Sequence, residues 1–596
     1  MNPIQETEIN CFEDAEVLDN FRIGPDGGLT KREGYSFAAY LDGKVRGTLN
    51  DAETTYLVAG YSFYTFSDGE LSYIGYLSSC SFDDENEEVF LFIAARSVYI
   101  MGGGSFYRYD PDTGYFGEEI GYCPLIRRNS QNLGHTFDPF EPMNIGSYGL
   151  RIHYNTNTSS SRYNLFGSAV KVNGVWLDGE LQTKGVYTTV INGTSSYVSM
   201  NVNYLRDTTD LVIEYELDPN VHPQMRRQLF KRTKAAVYEH EGELRMLIYG
   251  GELKDRIYVS DYAHFDPVEC ARELYTTTNA RDEQIKTIYD KELKYKRNTF
   301  NYFIEVGSTA VGFNGDTVRS IARIQDKYMV FTGSGSYHAE YVDEIVDENG
   351  YKTSGIKTCL ITDEYGICKN SGTAVFEDSI YFFSDNGLYR YSYNSMTYDF
   401  IATHIDIPEY ASPPREAYGR IRLFLYRRYG ELWCLYDGYA TVFNIRKKLW
   451  YRFSGINADK LFCHDGGAGL SKDYTLYIFD ENSYTDAGVG FEAVYRSKSY
   501  DLGNVFAKKT VYGLGAAFDS LSGARIDCTL VGDTGISRTY SLTPVFNGGV
   551  SPAVVRKHVR LDGVRHIKLV IVSPADRAPG NLKSIMIRYR ELGGRI

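Results

Sequence analysis

Ten histidines, nine cysteines and 77 acidic side chains are the groups in this 596-residue chain able to bind a metal or move a proton. Their spacing decides which of those chemistries is open. The histidines (His135, His153, His222, His240, His264, His338, His404, His464, His558 and His566) show no His-x-His or His-x-x-x-His pair, so no strand or helix offers two imidazoles to one zinc ion. The cysteines, at 11, 80, 123, 270, 359, 368, 434, 463 and 528, show no Cys-x-x-Cys spacing and are odd in number. Buried, reduced thiols in a cytosol-made protein are expected. A Gly-x-Ser-x-Gly nucleophile elbow and a phosphate-cradling Walker loop are both missing. Gly102-Gly-Gly104 and Gly333-Ser-Gly335 read as turns between strands. The sequence therefore points to no metal, no cofactor and no catalytic constellation.

Two further groups carry charge that could do work. Asp68, Asp385 and Asp437 sit in Ser-Asp-Gly, Asp-Asn-Gly and Asp-Gly stretches, where an aspartate caps its own backbone. A glycosidase needs a carboxylate pair at fixed separation, and nothing in the spacing selects one. Ser384-Asp-Asn-Gly387 also lacks the Ser-x-Asp-x-Gly-x-Thr-Trp pattern of sialidase-type propellers. The dense basic run Arg226, Arg227, Lys231, Arg232 and Lys234 can meet phosphate or an acidic partner. The plainer expectation is the wet face of a short helix over 222–236, with Pro223 in its first turn and Leu229 and Phe230 inward. The expectation from all of this is a chain that is not an enzyme.

The elements that would position any site are strands. Tyr (52), Phe (32) and Gly (57) are abundant against 3 Trp, a composition suited to half-buried pleated surfaces joined by tight turns. Paired apolar-aromatic runs recur: Thr55–Phe66 with Asp68-Gly69, Val89–Ile100 with Gly102-Gly-Gly104, Ser379–Ser384 with Asp385-Asn-Gly387, and Glu431–Tyr436 with Asp437-Gly438. Asp-Gly, Asn-Gly and Gly-Gly supply the positive φ of type I′ hairpins. A lone hairpin cannot bury its face, and the spacing near 40 residues is that of four-stranded propeller blades. The predicted fold class is all-β: a β-propeller of about six or seven blades with an inserted small β domain and a C-terminal antiparallel β-sandwich.

The predicted domains are an N-terminal segment with the first blades (1–123), an inserted β domain (124–220), the remaining blades (221–489) and the sandwich (490–596). Within the insert, Asn173-Gly174 and Asn192-Gly193 predict type I′ hairpins, and the Ser/Thr/Asn-rich stretch 155–164 predicts a loop. In the sandwich, Ile526, Cys528 and Leu530, then Ile567, Leu569 and Ile571, then Ile585, Ile587 and Tyr589 predict one buried face per strand. Trp433 and Trp450 are expected in the core. The segment 279–286 reads as a polar connector.

Net charge is −14, which argues against gripping nucleic acid through counterion release but suits a wall past which DNA slides. The polar, acidic start predicts no signal peptide, and no apolar run reaches membrane length.

One stretch is specific: Asn20-Phe-Arg-Ile-Gly-Pro-Asp-Gly-Gly28-Leu-Thr-Lys-Arg32-Glu-Gly34-Tyr. It resembles the "N…G-G-L-x-x-R-x-G" opening of tailed-phage tail nozzle (tail tubular) structural proteins. The stretches Leu247-Ile-Tyr-Gly-Gly, Asp255-Arg-Ile-Tyr-Val-Ser-Asp and Phe265-Asp-Pro resemble a mid-chain strand pair of that group. The motif positions Asn20, Gly27, Gly28, Leu29, Arg32 and Gly34 are expected to be structural, with Arg32 hydrogen-bonding carbonyls in a crowded blade entry. The resemblance implies a homo-oligomeric ring in the virion tail, usually hexameric, below the portal and adaptor. Genomic DNA would pass non-specifically through its lumen, and synthesis would be in the bacterial host cytoplasm. A receptor- or glycan-binding tail or fibre-associated protein is the alternative, with 155–164 as a contact loop.

Overall fold

The computed structural model describes residues 3–131, 137–206, 209–222, 225–240, 242–260, 300–304, 308–312, 316–346, 352–397, 399–519, 524–544, 553–575 and 581–592. Pro223, the 279–286 connector and the Phe265-Asp-Pro stretch lie outside the described residues. The chain is all-β: among the described residues fifty strands stand against one α-helical turn, Arg226–Leu229, and short 3-10 turns. It divides into two compact units, Met1–Gly60 with Tyr64–Tyr73 and Cys368–Ile596, and Tyr61–Phe63 with Ile74–Ile367.

In the first unit, consecutive hairpins build four-stranded antiparallel sheets. One runs Thr373–Phe376, Ser379–Ser384, Gly387–Asn394 and Asp399–Ile405; the next runs Arg422–Tyr426, Glu431–Tyr436, Tyr439–Asn444 and Leu449–Ser454. A third, Lys460–His464, Gly467–Lys472 and Thr475–Asp480, takes its fourth strand from the chain start, with Gly34–Tyr40 pairing antiparallel to Thr475–Asp480. The strands Val45–Asp51, Thr54–Ala59, Ser62–Ser67 and Glu70–Tyr76 repeat the four-strand pattern.

The C-terminal strands form two sheets that share one core. Ala493–Ser497, Ile567–Ser573, Ile526–Gly532 and Ser537–Leu542 are spliced onto the Arg422–Ser454 sheet by Ala15–Asp19, giving nine strands. The other sheet orders Ala553–Val564, Lys509–Phe518 and Leu582–Glu591, whose far side takes Gln5–Ile9 and Leu29–Lys31, with Phe21–Ile23 beyond the latter. The alternating residues Ile526, Cys528, Leu530, Ile567, Leu569, Ile571, Ile585 and Ile587 are all at most 1% exposed. Each large aliphatic side chain buried this way contributes about 1.5–3 kcal/mol.

In the second unit, three four-stranded sheets follow in chain order: Phe90–Ala94 to Tyr115–Glu118, Lys234–His240 to Thr309–Ala310, and Ser320–Ile324 to Lys352–Thr362. Between the first two, strands from Leu125–Ser130 to Asp210–Leu217 make a six-stranded and a three-stranded sheet with their own core, including Leu150, Ile152, Tyr163, Val175, Ile213 and Tyr215.

Turn chemistry explains most of the hairpins and corrects several expectations. Asp68-Gly69 (φ 51 and 77), Gly103-Gly104 (57 and 79) and Asp437-Gly438 (43 and 83) are type I′ turns as expected. At Asp385-Asn386 only the following Gly387 has positive φ, at 125, so that turn is not type I′. Asn173-Gly174 is no turn either. The strand Ala169–Leu177 runs through it and absorbs it as a register shift against Asp210–Leu217, because a bulge also accepts an extra residue there. Asn192-Gly193 does lie in a hairpin, between Tyr187–Val190 and Tyr197–Met200, but the connection is a longer 3-10 turn. The helix expected over 222–236 is one turn, and Lys234 already begins a strand. Ala235, Tyr238 and their neighbours pair with Glu243–Tyr249, so sheet pairing overrides local helix preference.

Candidate functional site: the buried arginine joints of the N-terminal segment

Residues 20–35 cross from one sheet to another, and nearly every one is used as a joint. Asn20 adopts φ 56, a conformation asparagine tolerates better than most side chains. This reverses the chain between Ala15–Asp19 and Phe21–Ile23. The Asn20 side chain is fully occupied: its Nδ2 donates to Ser454 Oγ and the Glu492 carbonyl, both at 2.8 Å. Its Oδ1 accepts from Arg32 Nε at 3.0 Å and from the Ser454 amide at 2.9 Å.

The Pro25–Gly28 turn brings the chain back. Gly27 has φ 81, and a side chain on Gly28 would sit 2.8 Å from the Leu582 carbonyl. Leu29 is wholly buried, and Gly34 packs so closely on Thr485 that a Cβ would collide with its carbonyl.

Arg32 is the hub, at 1% exposure. Its guanidinium donates to the carbonyls of Glu33 and Ser454, each at 2.8 Å, and grips Asp486 with both outer nitrogens at 3.0 and 2.5 Å. The Phe491 ring lies 3.8 Å beneath it. Carbonyl bonding was legible in the sequence; the carboxylate partner, 454 residues away, was not. Burial pushes the Asp486 carboxyl above its ordinary value, while the Arg32 hydrogen bond and charge pull against it.

A second buried arginine, missed in the sequence, lies on Phe21–Ile23. Arg22 forms a two-nitrogen fork on Glu431 at 2.8 and 3.1 Å and a third bond to Glu33 at 3.1 Å. Trp433 Nε1 completes Glu431 at 3.0 Å, and the Tyr426 hydroxyl donates to Glu33 at 3.2 Å. The rings of Tyr429 and Phe453 lie 4.5 and 5.0 Å from the guanidinium. Burial works against the charge on Arg22, but Glu33 and Glu431 outweigh it and hold its pKa well above the usual arginine value. The only sequence signal was an arginine flanked by Phe21 and Ile23 in a buried strand. Both arginine forks are filled by protein groups, so the arrangement locks strands together.

The other candidates are dispersed. Arg226 donates to the Gly146 and Glu119 carbonyls and to Glu118, and Lys231 and Arg232 meet Asp83 and Asp84. Three members of the basic run, Arg226, Lys231 and Arg232, are therefore paired with acidic groups of their own unit, with Leu229 and Phe230 buried as expected. Lys231 first, by its hydrogen bond, and then its charge and that of Arg232 lower the Asp83 pKa. Asp437 pairs with Arg420 at 2.7 Å, and Asp385 accepts from the Cys368 thiol at 3.3 Å. Trp433 and Trp450 lie in the core. Cys123, Cys368, Cys434 and Cys528 are buried, but Cys11 and Cys359 are exposed, unlike the expectation of buried thiols. Among the described residues no three His, Cys, Asp or Glu side chains are grouped to hold a metal, and no helix is long and apolar enough to cross a membrane.

No protein-family model matches the chain, and no curated protein matches it. Solved structures do. An exo-β-1,3-galactanase from Phanerochaete chrysosporium, bound to β-1,3-galactotriose, aligns with 94% of this chain and 100% of its own at 9% identity and a TM-score of 0.22. The extracellular domain of a protein assigned as a one-component system of B. thetaiotaomicron aligns over 95% and 99% at 10% identity and a TM-score of 0.19. These matches correct one expectation: with a glycoside hydrolase aligned along nearly the whole chain, the reading that the protein is not an enzyme is withdrawn. At such TM-scores the likeness carries no argument for a particular reaction or for particular carboxylates.

Proposed function

We propose that this chain is a structural virion protein of a tailed bacteriophage, a subunit of a homo-oligomeric tail nozzle or hub ring through which DNA is ejected. In this reading the seven four-strand units among the described residues are propeller blades, residues 124–220 are the inserted β domain, and residues 490–596, joined by strands from the chain start, are the sandwich. The observation that carries it is the Asn20–Gly34 segment. The stretch that resembles the opening of tail nozzle proteins is a set of buried joints, in which Asn20 and Arg32 link strands from both ends of the chain. The net charge of −14 suits a lumen past which DNA slides without sticking. Portal or adaptor and other tail proteins would be its neighbours, and the host cytoplasm its place of synthesis. Cryo-electron microscopy and peptide mass spectrometry of purified particles test the proposal. Density for the chain around the tail axis is expected; a chain missing from particles, or placed off the axis, refutes it.

A second reading, receptor or glycan binding, is favoured by one observation. Phe37 and Tyr40 are 52% and 76% exposed with ring centroids 4.7 Å apart, and exposed aromatic faces stack on sugar rings. A glycan array on the purified protein, compared with Tyr40→Ala, tests it; a blank array retires it.

A further inference from the structure

Among the described residues, the sheet that joins the chain's two ends has two unpaired edges of opposite charge. Among the described residues, Gln5–Ile9 on one side pairs only with Leu582–Glu591, and Ala553–Val564 on the other pairs only with Lys509–Phe518. Strand alternation turns Ile4, Glu6 and Glu8 to the solvent face of the first edge and Val554, Arg556 and His558 to the same face of the second. Ile4 and Val554 are 54% and 55% exposed, and Glu6, Glu8, Arg556 and His558 are all exposed. Charge on an edge strand is the ordinary device that blocks unwanted pairing between copies. Here the two edges carry opposite signs, so the device blocks each edge from pairing with its own kind and favours acid edge on basic edge.

We propose that the acidic Gln5–Ile9 edge of one copy adds to the basic Ala553–Val564 edge of the next, extending the sheet from copy to copy. The inference rests on the homo-oligomer of the preceding reading and names the surface that builds it. An antiparallel addition that sets Glu6 opposite His558 also sets Glu8 opposite Arg556, since both pairs fall on the same register. Opposite charges at directly facing positions, here Glu8 and Arg556, stabilise a sheet pair and like charges oppose it. The contact is heterologous, one surface on a different surface, which closes a ring when the rotation between copies allows. Pairing of backbone edges supplies the hydrogen bonds, as in other strand additions.

The test is the assembly of the purified full chain across a concentration series, read by sedimentation velocity. Three variants are compared with the unaltered chain: Glu6→Lys with Glu8→Lys, Arg556→Glu with His558→Glu, and all four together. Glu6 pairs with Arg588 at the surface, where losing an exposed ion pair costs little, and circular dichroism checks that each variant folds. Each two-site reversal is expected to move the assembly midpoint to a concentration about tenfold higher or more. The four-site variant, with both signs exchanged, is expected to return towards the original midpoint. A chain that stays monomeric, two-site variants that assemble unchanged, or a folded four-site variant that fails to recover would each overturn the inference. So would a basic edge whose reversal abolishes binding of duplex DNA or of an acidic peptide while leaving assembly intact. Failure here is separable from failure of the virion reading: edge-dependent assembly of a protein missing from particles sinks that reading alone, and a tail-located chain indifferent to the reversals sinks this one alone.

Discussion

Replacing Arg32 by methionine removes a guanidinium at 1% exposure while keeping most of its volume. Five hydrogen bonds disappear: one to Asn20, two to the Glu33 and Ser454 carbonyls and two to Asp486. The larger effect is on what stays behind, because Asp486 is itself 10% exposed and is left without its partner. Removing one member of a buried ion pair costs about 3–5 kcal/mol. Arg32→Lys keeps the charge but not the planar fork, so about 2 kcal/mol is expected. Arg32→Met with Asp486→Asn should cost less than the sum of the single changes, since the orphaned charge is gone. The deficit should also depend on pH. Burial already raises the folded Asp486 pKa above 3.8, and loss of Arg32 raises it further. The native state of the variant then binds more protons than the unfolded state, so its stability falls as pH rises through that folded pKa and recovers in acid. A chain of this size does not unfold in one step, so the assay is amide hydrogen exchange at Asn20 and Arg32. Their N–H groups bond to the Arg452 and Asn20 carbonyls at 2.8 Å. Exchange that matches the unaltered protein at both amides in Arg32→Met, at neutral pH, would refute this account of the joint.

Three further outcomes are expected. Gly34→Ala should destabilise by about 1–3 kcal/mol through overpacking against the Thr485 carbonyl, whereas Gly69→Ala, with φ 77 and open space around it, should cost only about 1 kcal/mol; thermal melts of the two side by side check the order. Gly387→Val should cost about 1–3 kcal/mol, because φ 125 suits glycine and the new Cβ would lie 3.0 Å from His404 Nε2; a melt identical to the parent would show that the backbone relaxes there freely. Burial raises Tyr35, Tyr249 and Tyr410 to about 12, so the stability they contribute is complete below pH 10 and lost as pH rises towards 12; ultraviolet titration should show a tyrosine class ionising together with unfolding, and smooth ionisation near pH 10 would contradict it.

The amino-acid sequence by itself determined the all-β class, because Tyr- and Phe-rich runs punctuated by Asp-Gly and Gly-Gly leave the backbone few alternatives to hairpins. It also determined the buried faces of the C-terminal strands, where a period of two at Ile526–Leu530 and Ile567–Ile571 admits one inward side. The motif positions Asn20, Gly27, Gly28, Leu29, Arg32 and Gly34 were legible as architecture, since local spacing announces a tight turn and a returning strand. Tertiary structure alone decided their partners. Asp486, Ser454 and Glu431 are more than 400 residues from the arginines and asparagine they serve, and no local pattern encodes which of 77 acidic groups is buried beside which cation. It decided, too, that Asn173-Gly174 is absorbed in a strand and that Lys234 leaves a helical turn for a sheet, because cross-strand pairing outweighs turn and helix preferences of about 1 kcal/mol or less per residue. The opposite charges of the two sheet edges likewise exist only in the fold: nothing singles out Glu6 and Arg556 until strands from the two ends of the chain meet in one sheet and, among the described residues, leave both outer edges unpaired.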